Sequence, residues 1–310
     1  MASPFKNIVM IGASGSIGTV ILQALLNAPS ITITIVQRIS STTTGTSTAT
    51  SLPPSTRLIT IPDTYPDSSL VAAFAGQDAV INCMTTLAVN TQLRIISAAV
   101  KAHVRRYIPS EFGLNNNNLD ARSLCSVFRE KGEVQDFLRS LEHRMEWMSI
   151  ACGMWIRWSA KHDFLGMHIS TKKFVFWDDG QGWFSATTEE NTALALVNAL
   201  TQKWEETANK VVWLSDFALT QRMLLDAIEN VTGDRFDTEV VNSETLIREK
   251  KLAVAAGDTA AIYTLIETGF VTGRFGGHLE KEGQIMNDLL GLPKVSLEKV
   301  VKQAVEAVLK

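Results

Sequence analysis

The chain has 310 residues, a formal net charge of −3, and hydrophobic and charged fractions of 45% and 20%. This balance is typical of a globular protein with a sizeable core and excludes the basic surface of a nucleic-acid binder. No run approaches the roughly 18 apolar residues of a membrane helix, and the first apolar run is too short for a signal peptide. The three cysteines form no CxxC pair and the histidines show no zinc spacing. We therefore expect a cytoplasmic protein that binds neither nucleic acid nor membranes and holds no metal.

Short apolar runs alternate with helical patterns through the first half of the chain. In chain order, strands are predicted at 7–11, 31–37, 58–61, 78–83 and 106–108, with helices at 17–25, 70–74 and 90–102 between them. A helix at 122–141 and strands at 147–151 and 211–214 continue the series, whereas the Ser/Thr-rich residues 40–51 predict an exposed loop. This rhythm predicts an α/β fold with a Rossmann-type doubly wound parallel sheet.

Two parts of the chain do not fit the alternation. Residues 154–184 are rich in Trp and Phe, and residues 235–310 have a mostly helical pattern. We assign both to a smaller substrate-binding lobe that packs over the sheet edge. The predicted division is a Rossmann domain at 1–153 with a return segment near 187–218, and a lobe at 154–186 and 219–310.

A glycine-rich turn links the first predicted strand to the first predicted helix. Gly12 permits the tight turn, Gly15 lets the backbone approach a pyrophosphate, and Gly18 lets the helix pack on the sheet. The helix N-terminus offers free N–H groups to the phosphates. Because the motif follows a strand and opens an amphipathic helix, it favours a dinucleotide site over a purely structural turn. We assign to this cofactor site Gly12, Ser14, Gly15, Ser16, Ile17 and Gly18.

The end of the second strand bears on the choice of nucleotide. A site for NAD usually places Asp or Glu there, whereas a site for NADP places an arginine near the 2′-phosphate. This chain has Arg38 at that point, and Asp63 is its first acidic residue. A guanidinium suits a phosphate, so we predict NADP(H) as the cofactor. The alternative is an arginine that is simply exposed on the surface.

Four segments together resemble the isoflavone-reductase-like group of the NmrA-like family. They are the turn at 12–18, Arg38, the Pro-Ser-Glu-Phe-Gly motif at 109–113, and Ser-Val-Phe-Arg-Glu-Lys at 126–131. The group includes the plant phenylcoumaran benzylic ether reductases and pinoresinol reductases. The segments at 187–191 and 290–293 resemble fungal members, and the likeness covers nearly the whole chain.

The resemblance implies roles for residues that the pattern alone does not assign. It makes Lys131 the catalytic residue, in reach of the nicotinamide ribose, and places Phe112 beside the nicotinamide. It also assigns to the cofactor site Met84, Thr85, Thr86 and Ser110. The chain departs from the family after Arg38, where the next basic residue is Arg57, so the strictness of the preference for NADP stays open. The departures at 114–118 and 154–167 leave the substrate open.

The helical pattern gives Lys131 a second, independent argument. Lys131 lies inside an apolar stripe formed by Leu124, Val127, Phe128, Val134, Leu138 and Leu141. A lysine is rarely placed on a core face, and partial burial would favour its neutral form. The alternative is a lysine whose aliphatic stem extends out to solvent. We further predict that Gly132 lets another chain or the nicotinamide come close.

Aromatic residues concentrate in one stretch of the predicted lobe. They line a substrate pocket or form a small core of the lobe, and the pattern favours neither: Trp155, Trp158, Phe164, Trp177 and Trp183. A pocket of this kind suits a flat aromatic or polyketide-like molecule. As candidate substrate contacts we name Phe112, Met154, Trp155 and Trp158.

These features predict an enzyme, an NADPH-dependent reductase with Lys131 as general acid–base. Other catalytic motifs are missing, because no tyrosine is followed four residues later by lysine and there is no GxSxG elbow or P-loop. Two alternatives stay open. One is a non-catalytic regulator that senses NADP(H), although such NmrA-like proteins lack the lysine, and the other is a redox-neutral enzyme on the same fold. We expect a small-molecule substrate and a monomer or homodimer.

Overall fold

The computed structural model describes residues 5–43, 52–54 and 56–309. The strands of this part are β1 (Asn7–Ile11), β2 (Thr32–Arg38), β3 (Arg57–Ile61), β4 (Ala79–Asn82), β5 (Arg106–Ile108), β6 (Glu146–Ala151), β7 (Met167–His168), β8 (Lys173–Trp177), β9 (Trp183–Ala186), β10 (Lys210–Trp213), β11 (Phe217–Thr220) and β12 (Asp237–Val241). Seven of them form one parallel sheet in the order β10-β6-β5-β4-β1-β2-β3. The predicted Rossmann-type sheet is thereby confirmed.

The helices of the described residues cover both faces of this sheet and build the lobe beside it. They are α1 (Ser16–Leu26), α2 (Ile39–Thr43), α3 (Asp67–Phe74), α4 (Val89–Lys101), α5 (Leu119–Leu124), α6 (Ser126–Ser140), α7 (Ile156–Lys161), α8 (Glu189–Thr201), α9 (Gln221–Thr232), α10 (Ser243–Ala255), α11 (Ala261–Val271), α12 (Leu279–Glu282) and α13 (Leu297–Leu309). Helices α1 and α8 pack on one face of the sheet, and α3, α4 and α6 pack on the other. Because both faces are covered, the central strands are almost continuously apolar.

The sheet has a switch point between β1 and β4. From β1 the chain runs outward through β2 and β3, then crosses to β4 and continues through β5 and β6 in the opposite direction. Helices that leave neighbouring strands on opposite faces open a crevice at the carboxyl ends of those strands, which is where ligands bind in such sheets. The fold therefore places the turn after β1 and the residues after β4 at one binding crevice.

The predicted helix at 122–141 is two helices rather than one. Cys125 has φ −151° and ψ 163°, an extended conformation that ends α5 and begins α6. Helix α5 begins at a cap, because the Asn118 side chain accepts the N–H groups of Asp120 and Ala121. The apolar stripe runs through both helices, so periodicity alone does not reveal the break.

The predicted loop at 40–51 also needs correction at its start. Helix α2 extends through Thr43, and residues 44–51 lie outside the described part of the chain. The Asp63 carboxylate accepts the Ser40 N–H at 3.0 Å, which satisfies one of the free donors at the start of this helix. A run of Ser and Thr gives little sign of a helix because its stabilising partner is distant in sequence.

The remaining elements pack around a second core. Its sheets are β12-β8-β7 and the pair β11-β9, and its main helices are α7, α9, α11 and α13. Residues 285–292, which the predicted division gives to the lobe, lie instead on the large sheet: Ile285 bridges Trp213 of β10, and Leu290 and Leu292 join the core under α8. Within the described ranges, no helix is long and apolar enough to span a bilayer, and no cluster of ligands suits a metal ion.

Candidate active site

The turn after β1 requires glycine at two of its positions. Gly12 has φ +78°, and a Cβ there would lie 2.5 Å from the carbonyl oxygen of Cys83. A Cβ on Gly18 would overlap the carbonyl oxygen of Gly12, because the first turn of α1 packs directly on the loop. The Gly15 N–H donates to Gly12 O at 3.1 Å and closes the turn. Glycine is thus needed for close backbone packing here, as the motif predicts.

A trough of about 220 Å³ runs beside this turn, along the carboxyl ends of β1, β2 and β4. Predicted cofactor residues that line it are Gly12, Ser14, Gly15, Arg38, Met84 and Thr85. Ser16, Ile17 and Gly18 lie behind it in the first turn of α1, where Ile17 and Gly18 are buried. That first turn has no acidic residue, so its N-terminal N–H groups and partial positive charge favour an anion.

Arg38 ends β2 at one end of the trough, and two residues near it were not predicted. Tyr65, at φ +51°, lines the same trough. The pKa of Asp63 is lowered, first by the hydrogen bond from the Ser40 backbone and also by the charge of Arg38. Asp63 is absent from the trough lining because its carboxylate is turned to α2. The acid is close in space although it lies 25 residues after Arg38 in sequence.

A second cavity of about 190 Å³ meets the trough at Thr85. Its wall is mainly aromatic and aliphatic, and includes the candidate substrate contacts Phe112, Met154, Trp155 and Trp158 together with Thr86, Asn116, Lys131, Phe164, Tyr263 and Phe270. The aromatic stretch therefore divides between two roles. Trp177 is buried in the lobe core, where its Nε1–H donates to Thr268 Oγ1 at 2.9 Å, and Trp183 is 43% exposed and stacks on His278.

Lys131 lies at the wall of this second cavity with its side chain buried. The residue is 7% exposed, so it does not extend to solvent. Its ammonium donates to the backbone carbonyl oxygen of Glu111 at 2.6 Å. Burial lowers the pKa of Lys131, and the Glu111 charge opposes that shift. A buried amine with a lowered pKa beside an open cavity is a candidate for proton transfer.

Glu111 is a buried carboxyl group that sequence reasoning did not assign a role. Its Oε2 accepts from Asn116 Nδ2 at 2.6 Å and from Gln135 Nε2 at 2.7 Å. Burial raises the pKa of this carboxyl, against the effect of the Lys131 charge and the two amide donors. The signal available in the sequence was Gln135, which stands four residues after Lys131 on the same apolar face.

The segment after β5 holds Phe112 in a strained conformation. Phe112 has φ +40°, in the left-handed region that bulky residues rarely adopt. Its position is fixed on both sides: Gly113 O accepts the N–H groups of Cys152 and Gly153, and the Ser110 hydroxyl donates to Met84 O at 2.7 Å. Such strain persists where the surrounding structure over-determines it, typically at functional sites. Ser110 thus joins the ends of β4 and β5 under the trough.

Gly132 is approached by two residues of the same chain, which corrects the prediction of another chain or the nicotinamide. A Cβ there would lie 2.5 Å from Arg122 Cζ and 2.7 Å from the carbonyl oxygen of Asn116. Arg122 also donates to the carbonyl oxygens of Asn116 and Gly132 and pairs with Asp136. The glycine therefore lets α5 and the 115–118 loop pack onto α6 beside Lys131.

Replacing Gly132 with alanine should destabilise the protein by about 1–3 kcal/mol, since Asn116 and Arg122 must move to admit the methyl group. In an ordinary helix the same change would stabilise by about 1 kcal/mol. Urea unfolding measures the difference. Glu133→Ala, at the exposed neighbouring position, is the matched control and should change stability by less than about 0.5 kcal/mol. A stabilised Gly132→Ala variant would contradict the packing described.

A strained loop at 163–166 supplies Phe164 to the cavity wall. Asp163, Leu165 and Gly166 all have positive φ, and the loop is held by the buried Glu267 carboxyl group, which accepts the Gly166 N–H at 2.8 Å. Burial raises the pKa of Glu267 to about 8. His162 stacks on Trp158 at 4.2 Å on the exposed side of the same wall. The loop and its anchor thus shape one side of the cavity.

The folded protein should lose stability as pH rises toward 8 because of Glu267. Its pKa rises from the ordinary value of 4.5 to about 8 on folding, so between these values the folded state binds more protons than the unfolded state. The contribution of Glu267 to the free energy of unfolding is complete below its unfolded-state pKa and is lost as pH rises to its folded-state pKa. The free energy falls by up to about 1.4 kcal/mol per pH unit in this window. Glu267→Gln cannot ionise, so its urea-unfolding free energy should fall less over this window. Parallel pH curves for the two proteins would refute the assignment.

The glycine turn, the trough and the aromatic cavity define a Rossmann-type α/β protein with a candidate active site at the switch point of its sheet. The NmrA-like family model matches residues 4–276, and the chain belongs to this family, which confirms the predicted resemblance. A relative of similar length is the oxidoreductase aprR of Aspergillus flavus, 31% identical over 300 residues that cover 95% of this chain and 97% of that protein.

Solved structures with the same fold include an isoflavone reductase and AtPrR2. The crystal structure of isoflavone reductase superposes with a TM-score of 0.75 at 19% identity and covers 96% of this chain and 99% of its own. The structure of AtPrR2 with NADP+ and (+)pinoresinol has a TM-score of 0.73 at 17% identity, with 96% and 98% coverage. At these identities the likeness establishes the shared fold.

Proposed function

We propose that this protein is an NADPH-dependent reductase of a small aromatic or polyketide-like molecule, with Lys131 as its general acid–base. The observation that carries the proposal is the junction at Thr85, where the glycine-turn trough opens into the aromatic cavity that contains a buried lysine. A cofactor site and a substrate site that share one residue suit the transfer of a group between two bound molecules. The name of the fungal relative, an oxidoreductase, supports the same reaction class.

The residues of the trough fit a phosphorylated dinucleotide. A side chain at Gly12 or Gly18 would occupy the space of the turn, and the first turn of α1 is free of acidic residues. The pyrophosphate would be held by the N–H groups of this turn, and the 2′-phosphate by Arg38. AtPrR2, which shares the fold, was solved with NADP+, and this supports the choice of NADP(H) over NAD(H).

When bound, NADPH supplies a hydride to an electrophilic carbon of the substrate. The chain itself positions the substrate and handles the proton. Trp155, Trp158 and Phe164 offer flat apolar faces for a planar molecule and exclude water from it. Lys131, held by the Glu111 carbonyl, gives a proton to the substrate oxygen that becomes negatively charged.

A panel assay tests the proposal. Purified protein with NADPH is mixed with aromatic ketones, quinones and benzylic ethers, and the loss of the reduced-nicotinamide absorbance is followed. We expect oxidation that depends on one substrate class and is slower with NADH. If NADPH binds but is oxidised with no compound, a regulator that senses NADP(H) or a redox-neutral enzyme replaces the reductase. The buried lysine, which such regulators are expected to lack, argues for the enzyme.

A further inference from the structure

Beside Lys131 lies a buried ionisable group that the proposed mechanism does not use. The Glu111 carboxyl is part of a residue only 2% exposed, and its Oε2 accepts hydrogen bonds from Asn116 and Gln135. The backbone carbonyl of the same residue accepts from the Lys131 ammonium. Glu111 is therefore bound to the loop at 115–118 and to α6, and it lies against the proposed proton donor.

Unpaired oxygen atoms gather around this carboxyl. Three buried side-chain oxygens have no hydrogen-bond donor: Glu111 Oε1, Asn116 Oδ1 and Gln135 Oε1. Leaving buried acceptors without donors is costly unless a nearby positive charge compensates. An ammonium group offers three N–H donors, and the Glu111 carbonyl uses one. The three acceptors without donors thus belong to one hydrogen-bonded cluster around the Glu111 carboxyl, and the charge of that carboxyl favours the charged form of Lys131.

Titratable side chains of the elements packed around the site act on the Glu111 carboxyl and on the Lys131 ammonium. Lys131 of α6 and Arg122 of α5 face the Glu111 carboxyl. Glu111, Cys152 and Cys125 face the Lys131 ammonium. Burial raises the pKa of Cys125 and raises that of Cys152 to about 12, so both thiols are neutral at physiological pH. Of these neighbours of Lys131, Glu111 is the carboxyl group, and the attraction between it and the ammonium favours the charged form of both groups.

We propose that Glu111 is a positioning residue whose carboxylate keeps the proton on the buried Lys131 between turnovers. Burial alone favours the neutral amine, and the nearby Glu111 carboxylate opposes this effect by attracting the ammonium. The use of the proton rests on the proposed function: Lys131 gives it to the substrate oxygen, becomes a neutral amine, and takes another proton from water before the next cycle. Glu111 does not touch the substrate, because it is absent from the lining of the aromatic cavity.

The test measures the pKa of Lys131 directly and needs no turnover. Protein labelled with ¹³C at the lysine ε position is titrated by NMR, and Lys131→Arg identifies the Lys131 signal by its loss. In Glu111→Gln, which keeps the shape and removes the charge, the pKa of Lys131 should fall by about 1–3. Glu267→Gln is the matched control, since it also removes a buried carboxyl but one bonded to Gly166, and it should leave the Lys131 signal in place.

A second variant keeps the test decisive if Glu111→Gln fails to fold. Gln135→Met removes one of the two donors to the Glu111 carboxylate and so favours its neutral form, and the pKa of Lys131 should again fall. An unchanged Lys131 pKa in folded Glu111→Gln, or in Gln135→Met when the first variant does not fold, would overturn the proposal. With a substrate in hand, Glu111→Gln should also shift the pH profile of kcat/KM to lower pH. If Lys131 proves to have no part in a reductase reaction, the change in its pKa can still be observed. Failure of the proposed function is therefore distinguishable from failure of the proposal for Glu111.

Discussion

Replacing Lys131 with methionine should lower kcat by about 10²–10⁴-fold, the usual contribution of a general acid–base. Methionine matches the length of the lysine stem, so the cavity wall stays filled while the proton donor is removed. NADPH affinity should stay near that of the unchanged protein, since the trough residues that would hold the phosphates are elsewhere. Steady-state kinetics and fluorescence titration measure the two quantities separately.

The matched control is Lys101→Met at the end of α4. Lys101 is exposed and pairs with Asp67, so its loss should leave both kcat and NADPH affinity unchanged. Thermal unfolding of the Lys131 variant must accompany the kinetics, because removing the ammonium takes away one of the two cations that face the buried Glu111 carboxyl. A folded Lys131→Met protein with undiminished turnover would remove Lys131 from the mechanism.

Replacing Arg38 with alanine should weaken NADPH binding about 10–100-fold and leave NADH binding nearly unchanged. A hydrogen bond to a charged group contributes about 1.5–3 kcal/mol, and each 1.4 kcal/mol is about tenfold in affinity. The loss should be confined to NADPH because the 2′-phosphate is the group that NADH lacks. Fluorescence titration of both nucleotides against both proteins gives the selectivity ratio.

Arg57→Ala is the control for Arg38. Arg57 is the next basic residue in the sequence, but it begins β3, whereas Arg38 pairs with Ile61 at the other end of that strand. Arg57 therefore lies at the opposite end of the strands from the trough, and Arg57→Ala should change the affinity for neither nucleotide. An equal loss of NADPH and NADH affinity in Arg38→Ala would assign this arginine a general role rather than 2′-phosphate recognition.

The strands of the large sheet were predictable because burial on both faces requires apolar residues along their whole length. Strands such as β1 and β4 are covered on both faces, so short apolar runs mark them clearly, and the turn at 12–18 carries its own glycine requirement. The break at Cys125 was not predictable from periodicity, because the apolar stripe continues through it. The packing of residues 285–292 on β10 depends on contacts with distant parts of the chain, which no local pattern encodes.

In the candidate site too, some features follow from the local sequence, whereas others depend on residues that are distant in the chain. The burial of Lys131 follows from its helical face, which the sequence displays. The carboxyl of Glu111 and the Asp63 side chain near Arg38 reach their positions only when separate strand ends meet at one edge of the sheet. Gly132 was recognised as a point of close approach, but its partners, Arg122 and Asn116, reach it only because the predicted helix breaks into α5 and α6 and the loop before α5 folds back.

The most direct test of the reductase is the transfer of deuterium from labelled NADPH. Purified protein is given NADPH with deuterium at the transferable C4 position together with the substrate found in the panel assay, and the product is analysed by mass spectrometry. We predict one deuterium in each product molecule for each NADPH oxidised. A converted product without deuterium, formed while NADPH stays reduced, would contradict the reductase and establish redox-neutral chemistry at this site.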